Sequence, residues 1–247
     1  MKQRILKYLC IIIISAFALE TSGQVKSDTL QNNRVRGIQY ETAINEKASV
    51  TTLPVFVGLS VSVDLAGAMM AQVASYGQYE AALRLNFKET YFPVFELGIG
   101  NTNHTDETTL QHYKVHSPYW KVGCDYNFVK NKLSSNRLYG GLRYGFSSYK
   151  YNLDGPNIED PVFGGEVPYH FESLSANAHW LELVGGLETR IWKFIRLGWS
   201  VRYRKMIKQK NATPGKSWYV PGYGKNNDNN WGGTFNLIFE IGRHGKK

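Results

Sequence analysis

From Val55 to Ile241 the chain repeats one pattern, apolar and polar residues in alternation, in eight runs separated by turn-rich segments. A strand turns successive side chains to opposite faces, so each run reads as a β-strand with one apolar and one polar face. The run at 55–67 sets Val55, Val57, Leu59, Val61, Val63 and Leu65 against Phe56, Gly58, Ser60, Ser62, Asp64 and Ala66. The run IRLGWSVRYRKM, 195–206, sets Ile195, Leu197, Trp199, Val201 and Tyr203 against Arg196, Gly198, Ser200, Arg202 and Arg204. The other six begin near Tyr79, Val94, Tyr119, Leu138, His179 and Trp231 and keep the same period. Consecutive strands of this kind predict an all-β sandwich or barrel.

The runs are roughly 9 to 11 residues long, the length a tilted strand needs to cross a bilayer. The connections alternate in length: 67–76 is long, 88–92 short, 101–117 long, 129–137 intermediate, 152–177 long, 191–194 short and 205–230 long. Outer-membrane barrels have this rhythm, with short periplasmic turns, long external loops and an even strand number. The expected fold is an all-β, eight-stranded antiparallel up-and-down transmembrane β-barrel over 55–242. A soluble periplasmic lipocalin-like binding barrel also alternates, with its apolar face inward, and is the alternative.

The make-up of the polar face favours the membrane. It combines Gly and Ser with Glu80, Arg84, Glu96, Lys121, Asp125, Arg143, Glu182, Glu188, Arg196, Arg202 and Glu240. Small residues beside long charged ones suit a narrow lumen, which in an eight-stranded barrel has room only for side chains. On the apolar face, Tyr79, Trp120, Phe146, Tyr203 and Trp231 fall at the external strand ends and Phe87, Phe128 and Phe239 at the periplasmic ends. That is the pattern of two interfacial aromatic girdles.

Lumen charges are costly unless paired. In an up-and-down order Arg196 lies near the level of Glu188 and Glu240, and Arg202 near that of Glu182. The expectation is a lumen closed by an Arg and Glu network. Arg204 is placed at the external mouth without an obvious partner. A narrow anion-selective channel lined by Arg143, Arg202 and Arg204 is the alternative.

The residues before the barrel read as export machinery. Lys2, Arg4 and Lys7 precede an apolar core from Leu9 to Leu19 and then small residues, the order of a secretory signal peptide over 1–23, cleaved near Gly23 or Gln24. Residues 24–54 hold few large apolar residues and read as a flexible periplasmic N-terminal arm; 243–247 form a basic C-terminal tail. The formal charge is +9, and the leader's Lys2, Arg4, Lys7 and Glu20 net +2, leaving +7. Export excludes nucleic acid as a natural partner. Without Cys10 in the leader only Cys124 is left, so a disulfide scaffold is excluded.

The segments YGQYEAALRLNFKETYFPVFELGIG, HTDE, LYGGLRYGFSSYKYNLDGP, HWLELVGGLE, LGWSVRYR, WYVPGYG and GGTFNLIFEIG resemble those of a domain-of-unknown-function family of exported Gram-negative proteins predicted to be outer-membrane barrels. The likeness spans 55–242. It implies the fold and an outer-membrane location, and it brings no activity with it.

Candidate chemistry is sparse. Ser148 and His179 share the apolar face at a similar level, with Glu172 as a conceivable third member, which keeps an outer-leaflet lipid-modifying enzyme as an alternative. His104, Asp106 and Glu107 in HTDE, and the pair His112 and His116, lack the ligand spacing of a calcium or zinc site. No catalytic residue, metal or cofactor is expected, and Cys124 is read as a small lipid-facing residue. The expected partners are outer-membrane lipids and, through the Tyr-, Pro- and Gly-rich external loops, a surface protein or carbohydrate.

Overall fold

The computed structural model describes residues 54–131, 134–159, 164–212 and 217–242. The leader expected over 1–23, the arm up to residue 53 and the tail at 243–247 lie outside those residues. Eight long strands carry the alternating runs: β1 (Phe56–Asp64), β2 (Tyr76–Phe87), β3 (Tyr91–Thr105), β4 (His112–Asn127), β5 (Asn136–Asp154), β8 (His170–Trp192), β9 (Ile195–Lys210) and β12 (Asn229–Gly242). They close into a barrel in the ring order β1, β12, β9, β8, β5, β4, β3, β2, every pairing antiparallel. Two short hairpins decorate it, β6 (Ile158–Glu159) with β7 (Glu166–Val167), and β10 (Tyr219–Val220) with β11 (Gly224–Lys225).

The barrel is inside out. Leu97, Val122, Leu142, Leu183 and Val201 point away from the lumen and are about half exposed, while Glu96, Lys121, Arg143, Glu182 and Arg202 on the same strands are buried. An apolar surface running all round a barrel is not a water-facing design, because soluble proteins keep exposed apolar patches small. Among the described residues no helix is long and apolar enough to cross a membrane. The strands set their own scale instead. The outward apolar stretch of β4 runs from Trp120 to Tyr126 and is continued by Phe128 just past the strand's end, and on β12 it runs from Trp231 to Ile241. At about 3.3 Å per residue and a tilt near 40°, such stretches rise roughly 20–27 Å, the height of a barrel's lipid-facing band.

Three local departures from the alternating pattern have clear causes. Residues 65–73, expected as the end of the first strand and the start of the 67–76 loop, form helix α1 (Leu65–Val73), started by Asp64, whose Oδ1 accepts from the Ala66 amide at 3.1 Å. The alternation of β1 runs straight into this apolar, alanine-rich segment and masks the boundary. Phe56, expected inward, is 52% exposed and packs on Phe87, because a register shift between Phe56 and Gly58 turns it outward. Finally, β3, β4, β5 and β8 outrun their apolar stretches at the long-loop rim, so the loop expected over 101–117 shrinks to 106–111.

Candidate functional site

The lumen gathers buried charges of both signs, and its geometry follows from the period of two. Every second residue of each strand enters a space with room only for side chains, so charges from opposite walls meet. All of the polar-face charges read from the sequence point inward and are buried or nearly so.

They form two joined layers. Nearer the long-loop rim, Lys121 Nζ lies 2.8 Å from Glu80, 3.2 Å from Glu182 and 3.6 Å from Glu96. Arg202 Nη1 reaches Glu96 at 2.8 Å, Glu80 at 3.1 Å and Glu182 at 3.4 Å. Arg143 links Glu96 at 3.1 Å to Asp125 at 2.7 Å. Nearer the short turns, Arg84 pairs with Glu188 across the barrel and with Asp125 at 3.2 Å. Arg196 Nε meets Glu240 at 2.9 Å, and its Nη1 donates to the Ser135 carbonyl at 2.8 Å. Glu188, expected beside Arg196, instead takes Arg84 and Arg137.

Arg137 and Glu89, which the sequence does not single out, belong to this lower layer. Arg137 pairs with Glu89 at 2.6 Å and Glu240 at 2.6 Å. The inward parity of Arg143 and Tyr139 already pointed to Arg137. Glu89 sits in the β2–β3 turn at φ 53°, outside any strand period, so only the folded chain brings it to Arg137. Large rings fill the rest of the space: Tyr119 donates to Glu80 at 2.8 Å and Trp180 Nε1 to Glu182 at 2.8 Å. The glycines opposite make room for them, since a Cβ at Gly98 would collide with the Tyr119 ring and one at Gly145 with the Trp180 indole.

Arg204 is corrected by the structure. It is buried at 7% exposure, its Nε lies 3.2 Å from Glu182, and its Nη1 donates to the Tyr223 carbonyl at 2.9 Å. Two features that the strand period does not encode explain this. The β8–β9 register pairs Glu182 with Arg204 and leaves Arg202 opposite Val184. The β9–β12 connection, expected to project outward, folds back over the long-loop mouth, burying Ser217, Tyr219, Val220 and Tyr223. Val220–Tyr223 is a turn with Pro221 and Gly222 at its centre; Gly222 has φ +80°, as the third residue of a type II turn requires. Tyr113 donates to the Tyr219 carbonyl at 2.8 Å and Tyr149 shares a 2.6 Å hydrogen bond with Ser217, so the wall holds the plug by its backbone and side chains.

The predicted girdle residues Tyr79, Trp120, Phe146, Tyr203 and Trp231 all lie on the outer wall, with Trp120 on Phe146 at 5.4 Å and Tyr203 on Trp231 at 5.0 Å between ring centroids. At the opposite rim Phe56, Tyr91, Tyr126, Phe128, Trp192 and Phe194 are exposed. The candidate catalytic pair does not assemble. His179 shares a 2.6 Å hydrogen bond with the Tyr144 hydroxyl, Ser148 is opposite Asn177, and Glu172 contacts His170. In HTDE, His104 stacks on Trp218 at 4.1 Å and Asp106 accepts from the Thr108 and Thr109 amides, which holds its carboxyl below the usual range. Among the described residues no group of His, Cys, Asp and Glu could hold a metal ion.

Fold and lumen together define a class: a small eight-stranded β-barrel with an apolar outer wall, an ion-paired interior and a plugged mouth. The chain belongs to the DUF6048 family, a domain of unknown function, whose model matches residues 2–241. No curated protein matches its sequence. Among solved structures it is similar to Neisserial surface protein A, at 10% identity over 75% of this chain and 96% of that one with a TM-score of 0.41. It is similar to Ail of Yersinia pestis, solved with the heparin analogue sucrose octasulfate, at 13% identity over 75% and 94% with a TM-score of 0.36. It is also similar to CarO2 of Acinetobacter baumannii, at 11% identity over 76% and 99% with a TM-score of 0.37.

Proposed function

We propose that this protein is an outer-membrane barrel of structural or surface-interaction type whose lumen is sealed. The carrying observation is the set of ion pairs that span the lumen, joined by a plug of the chain's own β9–β12 connection. Selecting an anion would take cations free to engage it along a continuous water-filled path, whereas Arg143, Arg202 and Arg204, the residues of the anion-channel reading, are each committed to carboxylates. The apolar belt of bilayer height and the aromatic rims support insertion, and the leader expected over 1–23 supports export. The arm over 24–54 is read as its periplasmic extension. The β5–β8 wall and the connections at the long-loop rim are the surface offered to a protein or carbohydrate partner.

Planar-bilayer recording of the purified, refolded protein tests the seal. No stable conductance is expected. A stable anion-selective conductance that disappears in Arg202→Ala would replace this reading with the channel. Membrane fractionation with heat-modifiable gel mobility tests insertion, and soluble protein whose mobility ignores heating would restore the lipocalin-like alternative.

A further inference from the structure

The lumen balances its charges, but the outer wall does not. At the long-loop rim β9 turns Lys208 and Lys210 outward just beyond the apolar belt, and Lys205 outward at its edge opposite Leu181, all three exposed. The register places Lys208 opposite His179 and Lys210 opposite Asn177 on β8, and these in turn face Phe146 and Ser148 on β5. One step further along, exposed Lys150 on β5 faces Ser175. With strands about 4.8 Å apart and alternate residues about 6.7 Å apart, the Cα atoms of Lys150 and Lys210 lie about 12 Å apart, within reach of one shared anionic group. Among the described residues, none of these lysines has a carboxylate within ion-pair distance, in contrast to the inward cations of the same strands.

The face is local. It extends onto β4, where exposed Lys114 and His116 stand opposite Asn103 and Asn101 of β3, and it ends on either side where β3 presents Asn101 and Asn103 and β12 presents Asn229, none of them charged. Immediately below it lie Trp120, Tyr144, Phe146 and Tyr203, the aromatic boundary of the apolar belt. A cation cluster at that height meets the headgroups of the leaflet, and strand hydroxyls and amides such as Ser148 and Asn177 stand between the lysines as further hydrogen-bond donors. We infer that the β5–β8–β9 face is a docking surface for a phosphate-bearing lipid headgroup of the outer leaflet. This rests on the outer-membrane reading above. The occupant is a lipid and not a soluble anion because the apolar wall below the lysines extends without interruption to receive its acyl chains.

The test uses the whole refolded protein in vesicles of neutral phosphatidylcholine, with and without bisphosphorylated lipid A. Amine labelling read by mass spectrometry reports each lysine. Lys150, Lys208 and Lys210 are expected to be protected in the lipid A vesicles only, while Lys88 and Lys193 at the other rim label equally in both. Inorganic phosphate added to the neutral vesicles should not reproduce the protection. Bound lipid A counted by native mass spectrometry should weaken about fivefold for each of K150Q, K208Q and K210Q, with heat-modifiability confirming that each variant folds. Equal labelling in both vesicle types, protection by phosphate alone, or lipid A retention unchanged in the triple variant would overturn the inference while leaving insertion intact. Failure to insert into either vesicle would overturn both.

Discussion

Arg202 and Glu96 close the barrel across its diameter: their strands, β9 and β3, stand four places apart in the eight-stranded ring, yet Nη1 and Oε2 are 2.8 Å apart. Both side chains are almost fully buried, so neither charge has water to fall back on. The pair couples opposite walls that share no backbone hydrogen bond.

Removing one partner should therefore be costly. Arg202→Ala or Glu96→Gln each leaves a buried charge or a cluster of them uncompensated, and a loss of about 3 kcal/mol is expected. The two substitutions combined should cost less than the sum of the singles by about 1 kcal/mol or more, because the second removes the charge the first stranded. Reversible urea unfolding in lipid vesicles, followed by tryptophan fluorescence, measures both quantities. Strict additivity would count against the cross-barrel coupling.

Gly222 should be the point at which the plug fails independently of the barrel. Its φ of +80° is strained for any other residue, and a Cβ there would strike the Tyr119 ring. In Gly222→Val, amide hydrogen exchange of 217–228 should rise by at least an order of magnitude, with the exchange of β3 and β4 and the heat-modifiable mobility unchanged. Protection equal to the parent protein would mean that the connection is not held by this turn.

Cys124 reports on the outer wall. It faces outward on β4 between Val122 and Tyr126, in the middle of the apolar stretch. A polarity-sensitive fluorophore on Cys124, with Cys10 replaced by Ser, should emit at the wavelength of a hydrocarbon environment in vesicles and be quenched by lipids brominated on their acyl chains. Emission typical of water would argue against the lipid-facing wall.

His170 lies at the long-loop rim, beyond the apolar belt, where its Nδ1 bonds Asp154. That hydrogen bond, then the Asp154 charge, raises its pKa above the usual 6.5. A histidine raised in the folded state contributes to stability below its unfolded value and loses that contribution as pH rises through the folded one. The rim contact should therefore be intact below about pH 6.5 and fade above it. Imidazole NMR titration should place His170 above 6.5 and Asp154→Asn should bring it back down.

The strand period made the walls legible. Glu80, Arg84, Glu96, Lys121, Asp125, Arg143, Glu182, Glu188, Arg196, Arg202 and Glu240 could be assigned to one face because inward and outward alternate within each strand, whatever its neighbours do. Parity carried no information about height. Parity therefore places Arg204 at an open mouth, whereas the β8–β9 register sets it against Glu182. Nor does parity extend to segments outside strands: Glu89 in a tight turn, helix α1 after Asp64 and the WYVPGYG segment gave no periodic signal, although the density of aromatic residues in WYVPGYG was itself unusual for a solvent-facing loop.

Local periodicity by itself determined that the chain forms a succession of strands with charges on one face and apolar side chains on the other, since a period of two depends only on the backbone. Tertiary structure alone decided which charges meet, because partners such as Arg202 and Glu96 are 106 residues apart in sequence and come within reach only when the barrel closes. It also decided that the mouth is filled: a connection folds inward when the wall offers it a gap lined by Gly77, Gly100 and the tyrosines, and that gap does not exist until the strands have assembled around it.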